Sequence, residues 1–307
     1  MYHRPIMVNE VLSGLSIDPN GVYVDATLGG GGHSEAVAQL LENGKLISID
    51  QDQDAINEAK KRLDKYGNVI IVKDNFENLD KVLKNLNIEK VNGILMDIGV
   101  SSHQLDEGDR GFSYNLDAPL DMRMNKEAEI SAWNIVNEYS EEALEKIILD
   151  FGEERWGKRI AAFIVEARIS NHINTTFELS EVIKKAIPKQ VRMGMKHPAK
   201  KVFQAIRIEV NRELEVLDIA LDKALNALLP GGRLAVLTFH SLEDRIVKER
   251  FRHWQSDCIC PPTSPICQCD KEKEAIIVNR KPITASDEEL ETNPRAASAK
   301  LRIIERC

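Results

Sequence analysis

The chain has 307 residues, 43% hydrophobic and 29% charged, with a net charge of −8, which suits one elaborated domain or two. No apolar run approaches a membrane span and the start, Met1-Tyr2-His3-Arg4-Pro5, lacks a signal-type apolar stretch, so the expected location is the cytoplasm, away from membranes. The acidic total speaks against a generally basic nucleic-acid binder, although a sum hides local patches.

Residues 7–12 read as a short helical lead-in. Val22-Tyr23-Val24-Asp25-Ala26-Thr27-Leu28 is an apolar, β-branched run that breaks into Gly29-Gly30-Gly31-Gly32-His33-Ser34. Residues 35–41 then place Ala36, Val37, Leu40 and Leu41 at helical spacing, giving strand, glycine turn, helix. Glycines there reach positive φ and let a ligand approach without a Cβ in the way. The plainer alternative is a glycine-rich connection between two elements. A second strand, 45–50, stops on Asp50, one helix and one strand after the glycines, as a right-handed βαβ unit requires. An acid at that place can accept both hydroxyls of a ribose; its alternative is a helix cap, a task for which Asp52 and Asp54 are also available.

A helix over 54–65, a strand over 68–73 and a helix over 79–86 lead to a fourth strand, 91–97, ending on Asp97. Asp50, Asp74 and Asp97 thus stand at strand ends and are expected to line one crevice. After Asp97 a long polar stretch lacks either periodicity, which beside a crevice points to function. The pattern then turns all-helical over 132–139, 141–151, 153–170 and 178–187, an insertion into an alternating α/β chain. From Lys184 to Ile208 eight basic residues (Lys184, Lys185, Lys189, Arg192, Lys196, Lys200, Lys201 and Arg207) occur without one acid. Alternation resumes with one long helix over 202–229, capped by Pro230-Gly231-Gly232, then a strand over 233–239, a helix opening at His240-Ser241, and strands over 275–279 and 300–305. Seven strands in this arrangement fit an α/β fold, the Rossmann-like sheet of a class I S-adenosylmethionine-dependent methyltransferase, with an inserted all-helical subdomain. The expected division is 1–112 and 199–307 for the sheet domain and 113–198 for a helical substrate-recognition insertion.

Several stretches are more specific than the glycine turn. Residues 24–34, Asp97-Ile98-Gly99-Val100-Ser101-Ser102-His103-Gln104-Leu105-Asp106, Arg110-Gly111-Phe112-Ser113, Pro119-Leu120-Asp121-Met122-Arg123-Met124, Phe203-Gln204-Ala205-Ile206-Arg207, Phe239-His240-Ser241-Leu242-Glu243-Asp244-Arg245 and Asn293-Pro294-Arg295-Ala296 span almost the whole chain. Together they closely resemble the bacterial small-subunit ribosomal RNA cytosine-N4 methyltransferase H family, also called MraW. The resemblance implies S-adenosylmethionine as methyl donor and, as acceptor, a cytidine in the decoding region of 16S ribosomal RNA within the small subunit. Carried over by position, it assigns Gly31, Gly32, His33, Asp50, Phe76, Asp97 and Gln104 to the cofactor. Phe76 is equally suited to a plain core position.

Cytosine N4 is a poor nucleophile until an acceptor draws on its protons and holds it in line with the methyl group. The chain has Asp97-Ile98-Gly99-Val100 where many amino-methyltransferases carry an Asp/Asn-Pro-Pro-aromatic tetrapeptide. Asp97 is the first candidate acceptor, followed by Asp121 and His240. Asp121 could instead pair with Arg123, and His240 could close its strand. Candidates for the RNA are Arg110, Arg123, Lys196, Lys200, Lys201 and Arg207; the basic strip reads either as a phosphate-binding surface or as a solvated face. A stacked cytosine must be extruded into the crevice, with the insertion as clamp. Cys258, Cys260, Cys267 and Cys269 flank a proline-rich loop and favour a structural metal such as zinc over disulfides, although Cys-x-Cys is shorter than the usual zinc spacing. Rival readings are a nicotinamide-dependent oxidoreductase, a methyltransferase for protein or a small molecule, and a silent RNA-binding scaffold. The first is disfavoured because the turn lacks the third glycine of the dinucleotide fingerprint. The oligomeric state stays open, a homodimer included.

Overall fold

The computed structural model describes residues 5–101, 104, 108–194, 197–261 and 266–307. They form two compact units: Met1–Gly99 with Leu214–Cys307, and Val100–Glu213.

The first unit alternates α1 (Val8–Leu15), β1 (Val22–Asp25), α2 (Gly32–Ala38), β2 (Lys45–Asp50), α3 (Gln53–Leu63), β3 (Val69–Lys73), α4 (Leu79–Asn85) and β4 (Val91–Asp97). It resumes after the second unit with β5 (Leu228–Thr238), α12 (Ser241–Gln255), β6 (Ala275–Ile277), α13 (Asp287–Thr292) and β7 (Lys300–Arg306). The seven strands lie in the order β3-β2-β1-β4-β5-β7-β6. Pairs are parallel from β3 to β5, and β7 runs antiparallel between β5 and β6. This is the seven-stranded sheet of class I methyltransferases. Successive residues serve opposite faces: Ile94 and Met96 of β4 join Val24, Leu221 and Phe251 on one side, while Leu95 joins Tyr23, Leu46 and Leu301 on the other. With both faces buried, the strands read as nearly continuous apolar runs. Strand order reverses between β1 and β4, so the crevice for a ligand lies beyond the carboxyl ends of β1, β2 and β4.

The second unit contains α5 (Ala132–Glu138), α6 (Glu141–Asp150), α7 (Gly157–Ser170), α8 (Thr176–Ala186), α9 (Lys189–Arg192) and α10 (Lys200–Asn211), and α11 (Glu213–Ala227) leads out of it. Ser140 caps α6, and Thr175 with Glu178 forms a capping box on α8. Ile135, Leu144, Ile160, Leu179, Phe203 and Ile206 build its core. The unit extends beyond 113–198 at both ends because Phe112, Val202, Phe203 and Val210 belong to that same core.

Three local expectations change. The helix expected over 202–229 is two helices, since Arg212 adopts a left-handed conformation with φ 50° that no α-helix can continue. Pro230-Gly231-Gly232 does not cap it: the triplet lies within β5, where the pairing with β4 jumps from Val91–Leu228 to Gly93–Arg233. The helix expected from 153 begins at Gly157 because Glu153 is left-handed, with φ 46°. No helix among the described residues is long and apolar enough to cross a membrane.

Candidate functional site

At the carboxyl end of β1 the chain turns through four glycines, and two of them need positive φ. Gly29 has φ 48°, Gly31 has φ 76°, and a Cβ at Gly31 would stand 3.1 Å from Ala59 Cβ. The turn is anchored from β2: the Gly29 and Asp52 amides donate to the two oxygens of Asp50, each at 2.8 Å. Asp52 caps α3 by accepting from the Asp54 amide, so Asp50 is free of the capping role that was its alternative. Burial pushes the Asp50 carboxyl up to about 6 despite those two amides, with the Asp52 and Asp25 carboxylates adding to the rise.

Beneath the turn Asp25 is buried and accepts from Ser34 Oγ at 2.6 Å and from the Thr27 amide at 3.1 Å. Ser34 Oγ also lies 2.8 Å from Ser48 Oγ of β2, and Thr27 Oγ1 accepts from the Asp97 amide at 2.7 Å. This network ties β1, β2, α2 and β4 together at the site. Burial raises the Asp25 carboxyl, only partly offset by Ser34, His33 and Thr27. The sequence reading passed over Asp25, Thr27 and Ser34. The available signal was that Asp25, like Asp50 and Asp97, closes an apolar strand.

His33 is buried next to the same point. Its Nε2 donates to the Ile6 carbonyl at 2.8 Å, and its Nδ1 stands 3.4 Å from Asp97 Oδ2. Burial alone would push the imidazole toward neutrality, yet Asp97, Asp25 and the Ile6 carbonyl together lift its pKa above the ordinary histidine range. The other oxygen of Asp97, Oδ1, is buried with no hydrogen-bond partner among the described residues. An orphaned carboxylate oxygen at a crevice calls for a donor from outside the chain.

Asp25, Asp50 and Asp97 therefore converge on one glycine turn, with the His33 imidazole offsetting Asp25 and Asp97. The pyrophosphate of a dinucleotide would meet repulsion here. A ligand with a vicinal diol and positive charge would meet acceptors for both. The residues present thus fit a sulfonium nucleoside: Asp50 for its ribose, the glycine turn for close approach, and Asp97 Oδ1 for a donor.

The other expected residues are placed as follows. Phe76 opens a short turn after β3, half-buried, with part of its ring on the main core cluster. Asp74 accepts from the Asn75 amide and the Asn78 side chain. His240 is the N-cap of α12: its Nδ1 faces the Glu243 amide at 3.5 Å, and its Nε2 lies 2.8 Å from Glu243 Oε1. In the second unit Gln104 is buried, with Oε1 accepting from the Ser101 amide. Asp121 pairs with Arg123, Nε to Oδ1 at 2.9 Å and Nη2 to Oδ2 at 2.7 Å. Burial works against the ionised form of Asp121, but Arg123 holds its carboxyl below the usual range. Arg123 also donates to the Ala128 carbonyl.

Two arginines expected on the RNA surface do not stand there. Arg110 is 4% exposed and donates to the Arg123 and Met124 carbonyls. Arg207 lies against Glu213, Nε to Oε1 at 2.8 Å and Nη2 to Oε2 at 2.9 Å. The acid-free strip acquires partners from outside its own stretch: Lys184 pairs with Glu181, and Lys201 donates to the Glu153 carbonyl. Lys185, Lys189, Lys200 and Lys201 remain exposed. Lys196 lies outside the described residues. The four cysteine sulfurs 258, 260, 267 and 269 gather within 4.8 Å of one another.

A family model described as the MraW methylase family matches residues 1–307. The ribosomal RNA small subunit methyltransferase H of Clostridioides difficile (strain 630) is 55% identical over 307 residues, covering 99% of each chain. Its counterpart in Finegoldia magna is 56% identical over 306 residues, covering 99% of this chain and 98% of its own. Among solved structures, an rRNA methylase from Streptococcus thermophilus matches with TM-score 0.44 and 13% identity, covering 100% of this chain and 98% of that one.

Proposed function

The chain belongs to the MraW methylase family, and from that premise we propose that it methylates the exocyclic N4 of a cytidine in the decoding region of 16S ribosomal RNA, using S-adenosylmethionine. The observation that carries this reading is the convergence of Asp25, Asp50 and Asp97 on the glycine turn, with Asp97 Oδ1 buried and unpartnered. Three acids around one turn suit a cationic adenosyl compound and oppose a pyrophosphate.

When bound, S-adenosylmethionine supplies an electrophilic methyl group on a sulfonium. Gly29 to Gly32 admit it closely, and Asp50 accepts from the ribose hydroxyls. Phe76 offers an apolar surface to the adenine. Asp97 has the remaining task, to accept a proton of cytosine N4 so that the nitrogen lone pair is directed at the methyl carbon. Asp97 would take up the proton that N4 loses as it is methylated. His33 fixes the Asp97 carboxylate through its Nδ1 while Ile6 fixes the ring. Asp121 and His240 are weaker candidates for the proton. The first is held ionised by a bidentate arginine, and the second is engaged in a helix cap.

We assign RNA contact to the exposed lysines of the helical unit, Lys185, Lys189, Lys200 and Lys201, as phosphate neutralisers. The test is methyl transfer from labelled S-adenosylmethionine to small ribosomal subunits and to naked 16S RNA, followed by nucleoside mass spectrometry and base-resolved mapping. N4-methylcytidine in the decoding region is expected with the wild-type chain, and a loss of at least about 100-fold with Asp97→Ala. A methyl group on another atom, or undiminished transfer by the variant, refutes the respective part.

A further inference from the structure

Between α12 and β6, residues 256–274 carry Cys258, Cys260, Cys267 and Cys269, all four free thiols. Their sulfurs lie within 4.8 Å of one another, with Cys258–Cys267 at 3.5 Å, Cys267–Cys269 at 3.6 Å and Cys258–Cys269 at 3.8 Å. Four thiolates around Zn2+ at a Zn–S distance of about 2.3 Å form a tetrahedron with edges of roughly 3.8 Å. The observed separations are close to those edges and far longer than a disulfide bond of about 2.05 Å. We propose that these cysteines form a four-thiolate zinc site, a role independent of methyl transfer.

The surrounding backbone supports a thiolate cluster. The Ile259 amide donates to Cys269 Sγ at 3.4 Å, and the Gln268 amide donates to Cys260 Sγ at 3.3 Å. The middle residue of each Cys-x-Cys pair thus donates to a sulfur of the opposite pair. The Cys260 amide adds a bond to Cys258 Sγ at 3.4 Å. Amide donors to sulfur stabilise the deprotonated ligand and fix its direction, as the outer shell of a metal site does. This reciprocal lacing explains how a one-residue spacing, shorter than the usual two to four, can close a tetrahedron: each pair is completed by the other pair across the loop.

The place of the cluster defines its purpose. α12 starts at the carboxyl end of β5 and runs for 15 residues, about 22 Å, so its last turn lies at the opposite edge of the sheet from the glycine turn. There the Glu274 amide donates to the Trp254 carbonyl and the Ile277 amide to Gln255 Oε1, docking β6 onto the end of α12. A metal at the cluster staples the connecting loop and with it the outermost strand of the sheet.

The experiment uses the full chain, purified from zinc-supplemented medium in a reducing buffer without chelator. Elemental analysis should give one zinc per chain. An organomercurial titration should release it, read with a metallochromic dye, as about four thiols react in addition to the exposed Cys307. Zinc-loaded protein should melt at a higher temperature than protein stripped of metal, with S-adenosylmethionine affinity the same in both. Cys258→Ser with Cys267→Ser should abolish the stoichiometric zinc. Should that variant fail to fold, Co2+ uptake by the stripped wild-type chain decides, through the visible bands and near-ultraviolet thiolate charge transfer of a tetrahedral tetrathiolate. Absence of zinc together with no such Co2+ spectrum, a disulfide found by mass spectrometry of the freshly purified chain, iron in place of zinc, or zinc retained by the double variant would each overturn the proposal.

Discussion

Asp50 links the pH dependence of cofactor binding to a single carboxyl. Its two oxygens already accept the Gly29 and Asp52 amides, yet burial brings its pKa up to about 6 from an ordinary 3.8. Accepting from two ribose hydroxyls requires the ionised form. If the protonated form binds negligibly, S-adenosylmethionine affinity should fall about 10-fold between pH 7 and pH 5, following a carboxyl of that pKa. The ligand-free protein should respond to the same group with the opposite sign. A carboxyl raised on folding binds its proton more tightly in the folded state, so its ionisation destabilises. That cost is absent below pH 3.8 and complete above about 6. Acidification across this window therefore adds stability from Asp50, at most about 3 kcal/mol and less because the residue is only half-buried.

The assay is calorimetric or dialysis-based measurement of the dissociation constant at half-unit intervals from pH 7 to pH 5, with circular dichroism confirming the fold throughout. Asp50→Asn is the control, since His33 also has a raised pKa and borders the same site. The variant should bind more weakly at pH 7 and should lose the Asp50 part of the slope. A flat wild-type profile, or an equal slope in the variant, refutes the assignment of the ribose to Asp50.

Gly31→Ala should cost about 1–2 kcal/mol from the left-handed backbone at φ 76°, with Ala59 3.1 Å from the new Cβ adding to it. Differential scanning should show the melting point lowered by roughly 1.5–3 °C, and an unchanged value would contradict the strain. Lys200→Glu with Lys201→Glu should weaken RNA binding and flatten its salt dependence while leaving S-adenosylmethionine affinity unchanged; titrations over a range of salt concentrations check both. Arg207→Met, by contrast, leaves the buried Glu213 unpaired and should cost about 3–5 kcal/mol in urea unfolding. An Arg207 variant of full stability with impaired RNA binding would return that residue to the interface.

What the sequence disclosed follows from which interactions are local. Gly29 to Gly32, Asp50 and Asp97 were legible because each sits where an apolar run ends, and a parallel sheet brings such ends to one edge. The strands were legible for the same reason, each being an apolar run buried on both faces. The break between α10 and α11 was not: nothing in Val210-Asn211-Arg212-Glu213 resembles a helix stop, and an arginine rather than a glycine takes the left-handed turn. The bidentate contact of Arg207 with Glu213 accompanies that turn, and Asn211 binds the Met122 carbonyl and the Met124 amide there. Charge counts misled for a related reason. A stretch can be read as acid-free, but Glu181 and Glu213 lie outside it in sequence and their carboxylates reach it in space. The arginines of the polar motifs accordingly hold loops, and the proposed phosphate contact rests on the lysines of exposed helix faces. Because a buried carboxylate without its guanidinium is so costly, RNA affinity and fold stability should separate cleanly between the Lys200/Lys201 and Arg207 variants.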